Sequence, residues 1–208
     1  MSKPEEFGIR GCYVLRNFLS AEEICTALSR AREIVQAAPL MRPSMPQGTP
    51  FKLTLTNAGK LGWWSDKEGY RYTDRHPGTG QSFPPIPREI VGIHCAALDA
   101  CGLLGWEPDN LLINHYNVGE SLGPHQDRTE RDQSYPIVSV SLGADAYFAI
   151  GPGDKSAKRP KTILRSGDVV VMSGPARTAY HAVLEVLPTL PNVVKGGGRL
   201  NLTLRRAD

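Results

Sequence analysis

The spacing of apolar positions changes partway along the chain. Between Ser20 and Pro39, Ile24, Ala27, Leu28, Ala31 and Val35 recur three or four residues apart. Ser20 and Glu23 stand in capping-box register and Pro39 closes the run, so the pattern predicts an amphipathic helix with those five residues inward. A second helix is predicted from about Pro87, a proline suited to a first helical turn, to a stop at Gly102, with Ile90, Ile93, Ala97 and Leu98 inward. From Leu111 the period shortens to two. The segments LLINHYNV, PIVSVSL, AYFAI, TILRS, DVVVM, YHAVLEV and RLNLTLR are separated by Gly, Pro and Asp. Short strands with no long helix between them predict an antiparallel sandwich, barrel or jelly roll. Between the two helices, Pro39, Pro43, Pro46 and Pro50 break the chain, and Phe51 to Leu55 alternates like a strand. Asn57 to Gly59 then reads as a turn, and the rest, to Asp74, as an aromatic-rich hairpin or lid. No repeat, low-complexity tract or break between domains interrupts the 208 residues, so a single domain is expected.

The last strand poses a question of direction. Leu200, Leu202 and Leu204 alternate with Arg199, Asn201, Thr203 and Arg205. If the leucines face the core and the arginines face water, this is an ordinary amphipathic strand. If instead the polar face lines the mouth of a barrel, two fixed cations look into a pocket and require an anion there.

Composition narrows the setting more than the function. A formal charge of +3 permits a polyanionic partner without demanding one. The cations gather in short runs, at Arg71 and Arg75, at Arg128 and Arg131, at Lys155, Lys158, Arg159 and Lys161, and at Arg205 and Arg206. Cys12, Cys25, Cys95 and Cys101 form no C-x-x-C pair, so ordinary buried thiols in a reducing compartment are expected. No apolar stretch is long enough for a signal or a membrane span, and a cytoplasmic monomer follows by elimination.

Five histidines offer metal ligands, and one belongs to the run PHQDR. On an extended segment His125 and Asp127 leave the same face. His181, in AYHAV, lies strands further on, at a separation a jelly roll can close. Two imidazoles and a carboxylate on one face of an ion, with open positions opposite, suit a non-haem Fe(II) centre that activates oxygen. A stray H-x-D hydrogen-bonded to its surroundings is the bland alternative. An oxygen-activating iron needs further electrons, which a bound 2-oxo acid supplies by decarboxylation. 2-Oxoglutarate has a carboxylate at each end, and two arginines on one strand face are suited to hold both. The metal and the arginines thus account for each other, and the pocket-facing reading of the last strand displaces the solvent-facing one.

Together, LINHYNVGESLGPHQD, PIVSVSLG, GDVVVMSGPARTAYHAV and RLNLTLR resemble the AlkB family of Fe(II)/2-oxoglutarate-dependent dioxygenases. LTNAGKLGWWSDKEGYRY resembles the nucleotide-recognition lid of its bacterial members, and the likeness runs from about Gly11 to Arg205. The resemblance implies a mainly β fold with flanking helices: a double-stranded β-helix (jelly-roll) core, N-terminal helices and a lid. The expected division of the single 1–208 domain is an N-terminal extension and helix to about residue 50, the lid at about 51–85, and the core at about 110–206. It implies Fe(II), 2-oxoglutarate and O2 as cofactors, with His125, Asp127 and His181 as metal ligands. Asn114, Tyr116, Arg199, Asn201, Thr203 and Arg205 fall to 2-oxoglutarate, and Trp63, Tyr70, Tyr72, Thr129 and Lys155 to the substrate. The implied activity is direct reversal repair of 1-methyladenine and 3-methylcytosine lesions in single- or double-stranded DNA, or in RNA, with release of formaldehyde and succinate.

The chain departs from the family pattern on the substrate side. Where the family tends to carry an acid two residues past Asp127, this chain has Thr129, followed by Glu130. Lys155 stands where an arginine is expected, and Met172 where a tryptophan is found. The expected preference for a cationic base is therefore not carried over. Two rivals are a 2-oxoglutarate-dependent hydroxylase acting on RNA, protein or a small molecule, and a non-enzymatic jelly-roll binding module. Against the hydroxylase stands the Trp63–Trp64 pair flanked by Arg71 and Arg75, a composition suited to stacked bases and phosphates.

Overall fold

In the computed structural model, which describes residues 3–208, two sheets face each other and two helices back the larger one. In chain order the elements are β1 (Glu5–Glu6), β2 (Cys12–Leu15), α1 (Ala21–Ala37), β3 (Thr54–Gly59), β4 (Gly62–Asp66), β5 (Gly69–Thr73) and α2 (Arg88–Ala100). They continue with β6 (Asn110–Tyr116), β7 (Leu122–His125), β8 (Ile137–Gly143), β9 (Ala146–Gly151), β10 (Lys161–Leu164), β11 (Val169–Met172), β12 (Tyr180–Val186) and β13 (Arg199–Arg205). The larger sheet runs β1-β2-β11-β8-β13-β6-β3, the smaller β10-β9-β12-β7, and β4 pairs with β5 in a separate hairpin. All seven strands expected after Leu111 are present.

Both helices form where the periodicity placed them. Ser20 accepts from the Glu23 amide at 3.2 Å, and the Glu23 carboxylate accepts from the Ser20 amide at 2.8 Å, which completes the capping box. The inward stripe of α1 is Ala27, Leu28, Ala31 and Ile34; Val35, expected inward, is only half-buried because the helix presents the neighbouring position to the sheet. In α2 the four expected residues are buried, and His94 is buried beside them. Pro87 stands one position before the expected first turn, as the cap whose carbonyl accepts from Ile90 and Val91. These stripes pack on one face of the larger sheet, where Leu200, Leu202 and Leu204 of β13 join them.

The expected turn at Asn57 to Gly59 is instead the end of β3. The Asn57 side-chain carbonyl accepts from the Trp63 amide at 3.0 Å, and its amide group donates to the Trp63 carbonyl at 3.1 Å. A residue that usually makes turns for itself here braces the next strand. Gly59, at φ +110°, lies so close to the Asp109 carbonyl that a Cβ would sit 2.3 Å from it, and the chain reverses there into the hairpin. The cysteines also differ from expectation. Cys12 is buried and its thiol pKa is pushed up to about 12 by burial, whereas Cys25 and Cys95 lie on exposed helix faces. Among the described residues no helix is long and apolar enough to cross a membrane.

Candidate metal centre and substrate pocket

Strand register assembles the metal trio. β7 and β12 pair antiparallel with His125 directly opposite His181, and Asp127 follows two residues after the strand end. One donor atom from each of the three lies within 4.8 Å of the others, and the imidazole centroids are 4.3 Å apart. His125 Nδ1 is 2.9 Å from the Gly123 carbonyl oxygen and His181 Nδ1 is 3.1 Å from that of Ala179. A carbonyl only accepts, so each Nδ1 carries the proton and each Nε2 keeps a free lone pair. Burial, with His181 beside it, pushes the His125 pKa down to about 4 and leaves the ring neutral. Burial alone would raise the Asp127 carboxyl, but Arg205, 2.7 Å away, together with His181, His125 and Arg177 outweighs it and holds the group well below the usual carboxylate range. Two imidazoles and an ionised carboxylate fit a divalent iron with open positions opposite.

Beside the trio, β13 supplies the polar lining. Tyr116 of β6 stands opposite Arg199, and Asn114 opposite Asn201. With Thr203, Arg205 and the three metal-site residues they line a cavity of about 50 Å³. Every residue of β13 is buried, because the strand lies mid-sheet: its leucines face the helices and its arginines the space between the sheets. Arg199 donates from Nη2 to Ser141 at 2.8 Å, while its Nε and Nη1 are buried with no hydrogen-bond partner. Burial lowers its pKa to about 10, so the group remains a cation near neutral pH. A buried guanidinium with unmet donors fits an anion. Arg205 lies beside the metal trio, and charge at both ends of one cavity fits a dicarboxylate. Asn201 donates to Ser139 at 2.7 Å and accepts from Thr203 at 3.0 Å, which fixes its amide. Met172 lines this cavity.

A larger cavity of about 570 Å³ is lined by Trp63, Tyr70, Thr129 and Lys155 together with His125, Asp127 and Arg205. Trp63 and Tyr70, set diagonally across the hairpin, stack at 5.9 Å with ring planes 21° apart. Trp64 points the other way into the core and donates to Asp66 at 2.9 Å. Tyr72 is not in the pocket wall. Its hydroxyl donates to Glu130 at 2.6 Å, and burial raises its pKa above the ordinary value. Arg71 is not free for a phosphate either: it grips Asp66 through two contacts of 2.7 and 2.9 Å, and lies 3.3 Å from Glu68. That grip holds the Asp66 carboxyl far below its usual range. Arg75 donates to the Gly80 carbonyl at 3.0 Å.

One further pair carries no local signature in the chain. Arg177 and Glu130, both buried, meet at 3.0 Å, and Arg177 also donates to the Asp127 and Tyr135 carbonyls, each at 2.8 Å. Neither residue lies on a periodic segment, and a loop arginine beside a loop glutamate ordinarily reads as solvated surface.

A jelly roll carrying two histidines, a carboxylate and inward arginines defines the class, and the chain matches the 2OG-Fe(II) oxygenase superfamily over residues 11–205. It is 42% identical over 190 residues to an alpha-ketoglutarate-dependent dioxygenase AlkB homolog of Caulobacter vibrioides, covering 86% of this chain and 83% of that one. The alpha-ketoglutarate-dependent dioxygenase AlkB of Escherichia coli is 33% identical over 199 residues, covering 95% of this chain and 90% of that one. The solved structure of OsALKBH1 superposes with a TM-score of 0.86 at 28% identity, covering 97% of this chain and 99% of that one. The chain belongs to the AlkB family, and it is a dioxygenase that works with Fe(II), 2-oxoglutarate and O2.

Proposed function

We propose that this enzyme removes alkyl groups from ring nitrogens of nucleic-acid bases, on lesions of the 1-methyladenine and 3-methylcytosine type, in single- or double-stranded DNA and in RNA. One observation carries the reading: a single pocket joins the stacked Trp63–Tyr70 platform to His125 and Asp127 of the metal trio. When bound, Fe(II) with 2-oxoglutarate and O2 supplies the oxidant that hydroxylates the N-alkyl carbon, which then leaves as formaldehyde.

The protein's part is to bind and orient. His125, Asp127 and His181 hold the iron. Arg199 holds the carboxylate of 2-oxoglutarate distant from the iron, and Arg205, between Asp127 and Glu130, the nearer one. Asn114, Tyr116, Asn201 and Thr203 complete that subsite. Methyl groups on a pairing edge are hidden in a duplex, so the base must be flipped out or taken from a single strand. Trp63 and Tyr70 stack on it, Thr129 faces it, and Lys155 meets a flanking phosphate. Residues 51–85 act as the lid, closed through Tyr72 onto Glu130 of the 110–206 core, within one domain spanning 1–208. No side-chain general base is needed, since the hydroxylated carbon sheds formaldehyde unaided. Four free cysteines support a reducing compartment such as the cytoplasm.

The test is anaerobically purified protein given Fe(II), 2-oxoglutarate, O2 and DNA or RNA oligonucleotides carrying 1-methyladenine or 3-methylcytosine. Mass spectrometry should show loss of the methyl group with wild type and none with His125→Ala. Succinate formed while every methyl group persists would point to another substrate class.

A further inference from the structure

We infer that the pocket selects uncharged N-alkylated bases over cationic ones, with Thr129 as the residue that sets this preference. This rests on reading the pocket as the base site. Its walls carry four cationic side chains, Lys52, Arg128, Lys155 and Arg205, against a single carboxylate, Asp127. That carboxylate is committed twice over, as a metal-site donor and as the acceptor of Arg205 at 2.7 Å.

Neighbouring acids are withdrawn from the pocket. Glu130, next in sequence to Thr129, has a fully buried side chain and is engaged by Arg177 at 3.0 Å, Tyr72 at 2.6 Å and Arg205 at 3.7 Å. Asp66 is consumed by Arg71. Lys52, Arg128 and Lys155 are exposed at the pocket and none makes an ion pair among the described residues, so their charge acts on whatever enters. At Thr129 the wall presents a hydroxyl, which hydrogen-bonds a base edge without balancing a positive charge.

Alkylation at N1 of adenine or N3 of cytosine leaves a base that is cationic near neutral pH. Alkylation at N3 of thymine or N1 of guanine replaces an imino proton and leaves the base neutral. A cation entering this pocket leaves water for a site of like charge with no free counter-charge, whereas a neutral base forfeits only its hydration. Stacking on Trp63 and Tyr70 accepts either, because every base offers a π-face. The discrimination therefore lies in charge, and specificity comes from what the pocket repels as much as from what it holds.

3-Methylthymine and 3-methylcytosine have nearly the same shape and differ in charge. The experiment mixes two single-stranded oligonucleotides of identical sequence, one carrying each base, with the Fe(II)- and 2-oxoglutarate-loaded enzyme and reads the ratio of kcat/KM from competitive loss of the two methyl groups. Wild type should favour 3-methylthymine. Thr129→Asp should move the ratio towards 3-methylcytosine on the order of tenfold, the effect of one charge a few ångströms from another in a partly solvated site. Thr129→Asn, polar but neutral, should leave the ratio within about twofold, since no charge is added. Thr129 is exposed, so an unchanged melting temperature is expected for both variants and is checked beside the rates. A wild type that favours 3-methylcytosine, or that removes both methyl groups equally, overturns this inference alone. A ratio unmoved by Thr129→Asp does the same. Succinate release with neither methyl group lost overturns the nucleic-acid reading and this inference with it.

Discussion

Nη2 of Arg205 donates to Oδ2 of Asp127 at 2.7 Å, so the candidate metal carboxylate is oriented from the same strand that carries the proposed 2-oxoglutarate subsite. Asp127 sits on a loop just past β7 and is held from two sides, its carboxylate by Arg205 and its backbone carbonyl by Arg177. Metal subsite and cosubstrate subsite are thus not independent. Arg205→Met should leave a buried carboxylate without its orienting cation, and outer-shell losses of this kind weaken metal affinity about 10–100-fold. Anaerobic Fe(II) titration of the variant checks this; an unchanged affinity would mean that Arg205 serves 2-oxoglutarate alone.

Arg199 presents the opposite situation, a buried cation with two nitrogens lacking partners. Replacing an unpaired buried charge with an apolar side chain of similar length relieves desolvation, so Arg199→Met should melt higher than wild type without ligand, by about 1–3 kcal/mol of stability. The same variant should lose most of the melting shift that saturating 2-oxoglutarate gives wild type, because that shift measures binding to the folded state. Thermal melts with and without 2-oxoglutarate test both halves. Arg199→Lys keeps the charge but not the fork, and a roughly 10–100-fold rise in the 2-oxoglutarate Kd is expected from loss of a charge-assisted bond of about 1.5–3 kcal/mol.

Tyr72 joins the β4–β5 hairpin to the core through its hydroxyl bond to Glu130. The hairpin makes no ladder with either sheet; Asn57 and Ser44 tie β4 to its surroundings through Trp63 and Ser65, while β5 is tied to the core by Tyr72. Tyr72→Phe removes one charge-assisted bond, about 1.5–3 kcal/mol, without changing ring packing. Amide exchange should therefore quicken by 10-fold or more across Gly62–Thr73, and β13 should keep its protection. Equal exchange in the two proteins would mean that packing of Trp64 into the core fixes the hairpin unaided.

What the sequence made legible follows from what repeats. The helix stripes and the strands after Leu111 rest on periodic burial, and His125, Asp127 and His181 converge because β7 and β12 pair in the register that the H-x-D face required. The direction of the last strand's arginines was decided by chemistry: only a metal and its cosubstrate made two inward cations sensible. The misses are residues whose side chains are claimed by partners that hydrophobic periodicity does not reveal. Asn57 looks like a turn former until Trp63 is seen to use its side chain. Arg71 looks like a phosphate contact until Asp66 takes both arms of its guanidinium. Tyr72 looks like a pocket wall until Glu130, itself locked to Arg177, draws it inward. Each depends on a tertiary meeting that no local pattern encodes.

His94 carries the last prediction, away from the pocket. It is buried on α2, its Nε2 lies 3.1 Å from the Trp106 carbonyl oxygen, its ring meets the Trp106 ring edge-on at 4.4 Å, and its Nδ1 has no partner. Burial pushes its pKa down to about 4, against about 6.5 for a histidine in an unfolded chain. Between those values the unfolded state binds the proton and the folded state does not. Stability contributed by the neutral ring is therefore complete above about pH 6.5 and is lost as pH falls towards 4, at about 1.4 kcal/mol per pH unit. From pH 7.5 to pH 5 the loss should come to about 2 kcal/mol. His94→Leu has nothing to protonate, so urea denaturation at the two pH values should show wild type losing about that much more stability than the variant. Equal losses would mean that the ring takes up its proton in the folded protein, with Nδ1 finding an acceptor as α2 shifts.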